Sequence, residues 1–69
     1  MATAHQIISW VRDEGNVEAV NRLRLRVIKS LVRHKTTLEQ LTPRTHADPE
    51  LVAELRQAAS EVVNKPCPV

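Results

Sequence analysis

The stretch Asn21–Lys35, NRLRLRVIKSLVRHK, decides between the two fold classes open to this chain. Its first half alternates arginine with Leu23, Leu25 and Val27, which is the pattern of an amphipathic strand. Beyond Val27 the alternation stops, and apolar residues continue at spacings of three and four, which is the helical period. Leucine, arginine, lysine and glutamate favour helices, and the neighbouring sequence offers no partner strand. We therefore predict a helix.

The apolar residues of this helix cover a broad face. On a wheel at about 100° per residue, one narrow stripe consists of Val20, Leu23, Val27, Leu31 and Leu38. The residues that widen it on one side are Leu25, Ile28 and Val32. A face this broad predicts packing against more than one neighbour, either within a three-helix monomer or in a dimer. Asn16 is the predicted N-cap, and we expect the helix to fade between Thr37 and Thr42 because Pro43 stops it.

Two further helices are predicted from their caps. Thr3 followed by Gln6 forms a capping-box pattern, and the first helix then has an apolar face of Ala4, Ile7, Ile8 and Val11. Gly15 suits the C-terminal cap of this helix. The last helix starts at Asp48 as N-cap with Pro49 in the first helical position. Its apolar face consists of Leu51, Leu55, Ala58 and Val62, flanked by Val52, Ala59 and Val63.

These signals predict an all-α fold, a small three-helix domain with a long middle helix and an antiparallel C-terminal helix across the short connection TPRTHA. We expect residues 1–65 to form the single helical domain and residues 66–69 to form a flexible tail, because two prolines cannot continue a helix. With 69 residues, one Trp and no Phe or Tyr, the core must be small. Self-association would add burial, so we predict a homodimer.

Composition also restricts the function. A net charge of +2 and a pI of about 9.2 permit an acidic partner without requiring one. The single cysteine, Cys67, cannot form a disulfide framework within the chain, which favours a reducing compartment. The N-terminus lacks a secretory-signal pattern, and no apolar run approaches a membrane span. We expect a soluble cytoplasmic protein with no membrane partner.

No catalytic or metal-binding pattern is visible. His5, His34 and His46 fall on three different predicted segments, and none forms an HxxxH pair or lies near Cys67 in the sequence. The chain has no GxSxG motif and no glycine-rich phosphate loop. We therefore predict no enzymatic activity, no cofactor and no metal ion.

One flank of the middle helix carries four cations. Arg22, Arg26, Lys29 and Arg33 fall within about 60° of one another, and we call them the arginine ridge. Their two interpretations are a solvated flank, paired with acidic residues of the last helix (Glu50, Glu54 and Glu61), and a docking surface. Arginine's planar fork suits carboxylates. We predict that the ridge binds a protein partner with an acidic patch.

Arg24 and Trp10 complete the predicted partner-binding residues. Arg24 projects from the apolar face of the middle helix, where it either extends its charge past the core edge or meets a carboxylate across an interface. Trp10 lies about 100° from the centre of the apolar face of its helix, so we expect it to be half exposed. It is either a lid on the core or a contact residue, since Trp and Arg are enriched in binding hot spots.

The segment KTTLEQLTPRTHADPELVAELRQAA, residues 35–59, resembles the helix-turn-helix of Cro and lambda-type repressors. The resemblance covers about a third of the chain and implies that the helix from Pro49 enters a DNA major groove. Pro43 and His46 depart from the sequence pattern of that motif, and Glu50 and Glu54 would place carboxylates next to the DNA phosphates, which would repel them. DNA binding is therefore the second hypothesis. The first is a non-enzymatic interaction module, an adaptor or inhibitor that docks on another protein.

Overall fold

The computed structural model describes residues 3–42 and 48–67, and every regular element in these ranges is helical. Helix α1 spans Ala4–Glu14, α2 spans Val17–Arg33 and α3 spans Pro49–Val63. No strand occurs in the described ranges. The predicted all-α class with three helices and a long middle helix is confirmed.

The caps predicted at the helix starts are present. Thr3 and Gln6 form a reciprocal capping box, in which the Gln6 backbone N–H donates to Thr3 Oγ1 at 3.2 Å and the Thr3 N–H donates to Gln6 Oε1 at 2.9 Å. Asn16 Oδ1 accepts from the Ala19 N–H at 3.1 Å, and Asp48 Oδ1 accepts from the Glu50 N–H at 2.9 Å. Each cap satisfies backbone donors that the first turn of a helix leaves without an intrahelical partner.

The end of α2 differs from the prediction. The helix stops at Arg33 and does not extend to Thr37 or beyond, because Lys35 adopts a left-handed conformation with φ of 55°. The Thr36 N–H then donates back to the Leu31 carbonyl at 2.9 Å, a Schellman-type closure. Leu38, which we predicted on α2, belongs instead to a separate 3-10 helix, Leu38–Gln40.

The left-handed conformation of Lys35 gives a testable prediction. Lysine is strained in this region by contact of its Cβ with the following carbonyl, whereas glycine is not. We expect Lys35→Gly to raise the free energy of unfolding by about 0.5–1 kcal/mol, measured by urea denaturation followed by circular dichroism. Gln57→Gly, at an exposed site inside α3, is the matched control and should lower it by about 1 kcal/mol. Destabilisation by both changes would contradict the prediction.

The core combines one buried face from each α-helix with Leu38 and Leu41 from the segment between α2 and α3. Its buried residues are Ala4, Ile7, Ile8, Val11, Ala19, Leu23, Val27, Leu31, Leu38, Leu41, Leu51, Leu55, Ala58 and Ala59. The predicted face of α1 is buried completely. The buried face of α3 differs from the predicted one at two positions. Ala59, which we predicted beside the face, is fully buried, whereas Val62, which we predicted on it, is only partly covered. Helix α3 packs against both α1 and α2.

The corner between α1 and α2 depends on Gly15. Only Gly15 and Asn16 separate the two helices, and Gly15 is the C-cap of α1, as predicted. A Cβ at Gly15 would lie 2.4 Å from Ala19 Cβ and 3.1 Å from the Val11 carbonyl oxygen. The absence of a side chain is therefore what allows α2 to start this close to α1.

The chain beyond α3 stays in contact with the helices as far as it is described. Asn64 ends α3 in a left-handed conformation, Ser60 Oγ donates to the Lys65 carbonyl at 2.8 Å, and Lys65 Nζ reaches Glu14 Oε2 at 3.0 Å. Cys67 is partly buried against the core. The domain boundary at residue 65 stays a prediction, and residues 68–69 of the predicted tail lie outside the described residues, as do Pro43 and His46.

None of the helices within residues 3–42 and 48–67 has both the length and the apolar character needed to cross a bilayer.

Candidate functional site

The exposed apolar surface of the described residues is concentrated on α2. Val17, Leu25 and Val32 are 72%, 71% and 70% exposed, and Ile28 is 48% exposed. At about 100° per residue these four side chains fall within about 80° of arc, so they form one line along the helix. We call them the apolar stripe.

Helix α2 thus has two apolar faces, of which one is covered. Leu23, Val27 and Leu31 are buried against α1 and α3. Leu25, Ile28 and Val32, which the sequence placed at one side of the broad face, are left uncovered. The sequence showed that the face was too broad for one contact, and the structure shows which part has no partner within the described chain.

The arginine ridge is exposed, and most of it is paired with carboxylates of the same chain. Arg33 Nη2 lies 3.3 Å from Glu54 Oε1, and Arg26 pairs closely with Glu61. These contacts connect α2 to α3, as the solvated-flank interpretation anticipated for Glu54 and Glu61. The pairs are solvent-exposed, so each contributes about 0–1 kcal/mol to stability.

The other two ridge residues are less constrained. Arg22 Nη2 lies 3.6 Å from Glu18 Oε1, one turn earlier on the same helix, and both side chains are mostly exposed. Lys29 has no ion pair with a described residue. Arg22 and Lys29 lie closest to the apolar stripe, so they are the cations that a partner seated on the stripe would meet first.

Arg24 and Trp10 occupy structural positions at the core edge. Arg24 is partly exposed and pairs with Glu39 of the 3-10 helix, so its carboxylate comes from the same chain. Trp10 is half buried and packs against the core cluster, as expected from its angle on α1. Glu18 and Glu39 are the site residues that sequence analysis missed. The sequence places Glu18 four residues before Arg22, which is a spacing at which helix side chains can pair. Glu39 pairs with Arg24 only because of the turn after α2, which the sequence did not predict.

A histidine-carboxylate group lies where α2 ends and α3 begins. Ligand atoms of His34, Asp48 and Glu50 lie within 4.8 Å of one another, and His34 Nδ1 is 3.9 Å from Asp48 Oδ2. Asp48 Oδ1 is already used to cap α3, and His34 Nε2 is buried without a hydrogen-bond partner among the described residues. The helix dipole also sets positive partial charge at this end of α3, which opposes a bound cation.

A shallow groove borders the apolar stripe. It lies between α2 and α3, has a volume of about 580 Å³, and is lined by Arg22, Leu25, Arg26, Glu61 and Val62. Its lining therefore includes both Leu25 of the apolar stripe and Arg26 of the arginine ridge. The exposed face of α2 therefore presents apolar and charged contacts side by side.

Neither a protein-family model nor a curated protein nor a solved structure matches this chain.

Proposed function

We propose that the protein is a non-enzymatic interaction module, an adaptor or inhibitor, that binds other protein chains through the exposed face of α2. The observation that carries the proposal is the apolar stripe, an uncovered line of Val17, Leu25, Ile28 and Val32 on the longest helix. Contiguous exposed apolar surface rimmed by polar residues is typical of protein interaction sites. The proposal includes the predicted homodimer and a protein partner with an acidic patch.

The charge next to the stripe supports a protein partner. Arg22 and Lys29 stand beside it, and their long side chains combine apolar stems with cationic ends. Cations at the rim of an interface accelerate encounter with an acidic surface and fix its orientation more than they add affinity. An acidic protein approaching the ridge would therefore be steered toward α2.

The rest of the fold supports α2 as a rigid platform. Arg26 pairs with Glu61 and Arg33 with Glu54, so the partners run in opposite order along the two helices. This order favours the antiparallel arrangement of α2 and α3 that forms part of the proposal. A helix braced along one flank and anchored by its buried face keeps its exposed face in one shape, which lowers the entropy cost of binding.

The experiment places a photo-crosslinking amino acid at one α2 position at a time, Leu25 or Lys29, with the exposed position Arg56 on α3 as the matched control. After irradiation in lysate, we expect covalent products with a defined protein chain from both α2 positions and none from position 56. The purified cross-linked protein should then bind the unmodified chain. Absence of any protein product specific to α2 would refute the proposal.

Lys29→Glu is the better charge variant for measuring this binding. Replacing Arg26 with glutamate would place it beside Glu61, and replacing Arg33 would place it beside Glu54. Either substitution would perturb the α2–α3 contact as well as any docking. Lys29 has no ion pair with a described residue, so its reversal changes the surface alone. We expect Lys29→Glu to weaken capture of an acidic partner about tenfold without altering the helical signal.

DNA binding is the alternative proposal, and it gains less support. The helix that the repressor resemblance would insert into a groove begins with Asp48 and Glu50, both exposed. Carboxylates at this position would repel the DNA phosphates, and attraction to these phosphates is the source of most non-specific DNA affinity. Arg24, Arg26 and Arg33 already have carboxylate partners. A mobility-shift assay with random duplex at low salt tests the alternative, and we expect no retarded band.

A further inference from the structure

We infer that the occupant of the apolar stripe is a single amphipathic α-helix of another protein, with carboxylates along the flank that faces Lys29. The inference rests on the proposed function, because it takes the exposed face of α2 as the docking face. It assigns this face to the acidic partner rather than to the predicted homodimer.

The shape of the stripe fits a helix. Leu25, Ile28 and Val32 follow one another at spacings of three and four, and Asn21 extends the same line by one turn. This is the spacing at which the side chains of two packed helices interdigitate. From Asn21 to Val32 the line is about 16 Å long at 1.5 Å per residue. Residues 3–42 and 48–67 contain no strand, so they offer no sheet edge to which an extended peptide could add.

Lys29 is the charge that the fold leaves for a partner. Each arginine of α2 lies within ion-pair distance of a carboxylate of the same chain, whereas Lys29 has no such contact among the described residues. Lys29 follows Leu25 by one helical turn and precedes Val32 by another, so it stands beside both. A partner that covers these apolar side chains also removes water from one side of the lysine, which favours a carboxylate there.

The carboxylates of the partner are expected on one flank only. Lys29 lies between the stripe and the arginines that pair with α3, whereas on the other side of the stripe Arg24 is already paired with Glu39. Glu18 lies on the same side as Lys29, but it contacts Arg22 at 3.6 Å. It is also about 16 Å from Lys29 along the helix axis, beyond the screening length of about 8 Å at physiological salt. The acidic side chains should therefore cluster opposite Lys29.

A second copy of this chain is a poorer match for the stripe. An antiparallel copy would set the Lys29 flank against itself, and this flank carries Arg22 and Lys29 against one carboxylate, Glu18. A parallel copy would bring Lys29 beside another cation, the partner's Arg24. Like charges across an interface disfavour association. A different chain with carboxylates on this flank satisfies Lys29 without adding a cation.

The probe for this inference is a synthetic helical peptide of about 18 residues, stapled on its outer face. It has leucines at spacings of three and four and glutamates along one flank. One matched peptide carries lysine in place of each glutamate, and a second carries serine in place of each leucine. In fluorescence anisotropy with the full chain at about 0.15 M salt, the glutamate peptide should have a Kd at least about tenfold lower than either matched peptide.

Variants of the chain show whether the peptide occupies the proposed site. Lys29→Glu should reduce the preference for the glutamate peptide over the lysine peptide to within about threefold. Arg56→Glu, the same charge change at an exposed position of α3, should keep the full preference. Equal affinities of the original chain for these two peptides, or a preference that Lys29→Glu leaves unchanged, would overturn the inference.

Leu25→Asp tests the apolar half of the site. It should weaken binding of the glutamate peptide at least about tenfold, because the new carboxylate would lose its hydration under the partner helix. If Leu25→Asp loses its helical signal, Val32→Asp takes its place, since that side chain is 70% exposed. Unchanged binding by a folded variant would overturn the stripe as the seat of the helix.

Two further measurements identify other occupants. In analytical ultracentrifugation, a dimer of twice 7.8 kDa that Leu25→Asp dissociates would assign the stripe to a second copy and overturn the inference. Binding to phosphatidylserine vesicles that Leu25→Asp abolishes would assign the stripe to a lipid surface and overturn it equally.

The outcome separates this inference from the proposed function. A chain that cross-links to a protein from positions 25 and 29 but does not discriminate between the glutamate and lysine peptides would overturn the acidic helix and leave the interaction module standing. A chain with no cross-linked protein and no peptide binding would overturn both. Peptide discrimination that Lys29→Glu removes, together with cross-links from both α2 positions, would support both.

Discussion

Replacing Leu55 with alanine should lower the free energy of unfolding by about 2–5 kcal/mol, enough to unfold a large share of so small a domain. Leu55 is fully buried on α3, the helix that packs against both α1 and α2. Truncation removes the transfer energy of the lost carbons and leaves a cavity among residues of all three helices. Urea denaturation at one fixed protein concentration, followed by circular dichroism, measures the change.

Arg56→Ala is the control for this prediction. Arg56 follows Leu55 on the same helix but is exposed and has no ion pair with a described residue. Alanine is also the best helix former, so the substitution should change the free energy of unfolding by less than about 0.5 kcal/mol. Equal effects of the two substitutions would mean that α3 does not hold the core together as described.

Gly15→Ala is the second change with a large expected effect. The added Cβ would lie 2.4 Å from Ala19 Cβ, so α2 must move away from α1 or the corner must distort. Overpacking of this kind costs about 1–3 kcal/mol in the free energy of unfolding. The same urea titration measures it.

The double variant Gly15→Ala, Ala19→Gly identifies the cause of this loss. Ala19→Gly alone should cost about 1 kcal/mol, since glycine disfavours helix. If the clash with Ala19 is responsible, the double variant should lose at least about 1 kcal/mol less than the sum of the single losses. Strict additivity would show instead that the Val11 carbonyl, 3.1 Å from the added carbon, or the backbone conformation limits position 15.

The fold could be predicted from sequence where a local signal acts alone. The caps at Thr3, Asn16 and Asp48 are each made by a side chain and a backbone N–H within three residues, and all three were predicted correctly. The end of α2 was not. Lysine gives no sequence signal for a left-handed conformation, and Pro43 offered a plausible later stop, so the Schellman-type closure at Lys35 was missed.

The candidate site was predicted in part. Helical spacing identified the ridge and showed that α2 had more apolar surface than one neighbour could cover. Either the side of α2 that carries Leu25 or the side that carries Leu31 could be covered, and the outcome depends on where α1 and α3 pack. The spacing of apolar residues along one helix does not predict this packing. The pairing of Arg24 with Glu39 has the same origin, because the turn after Arg33 brings Glu39 back toward α2.

The packing of α3 against both other helices has a consequence for the chain during synthesis. Leu51, Leu55, Ala58 and Ala59 are translated after α1 and α2, and all four belong to the core. Until they leave the ribosome, α1 and α2 expose the inner surface that α3 will cover in addition to the apolar stripe. At about 5–20 residues per second, the gap between the end of α2 and Ala59 lasts about one to five seconds. The nascent chain is most vulnerable to aggregation and chaperone capture in that interval.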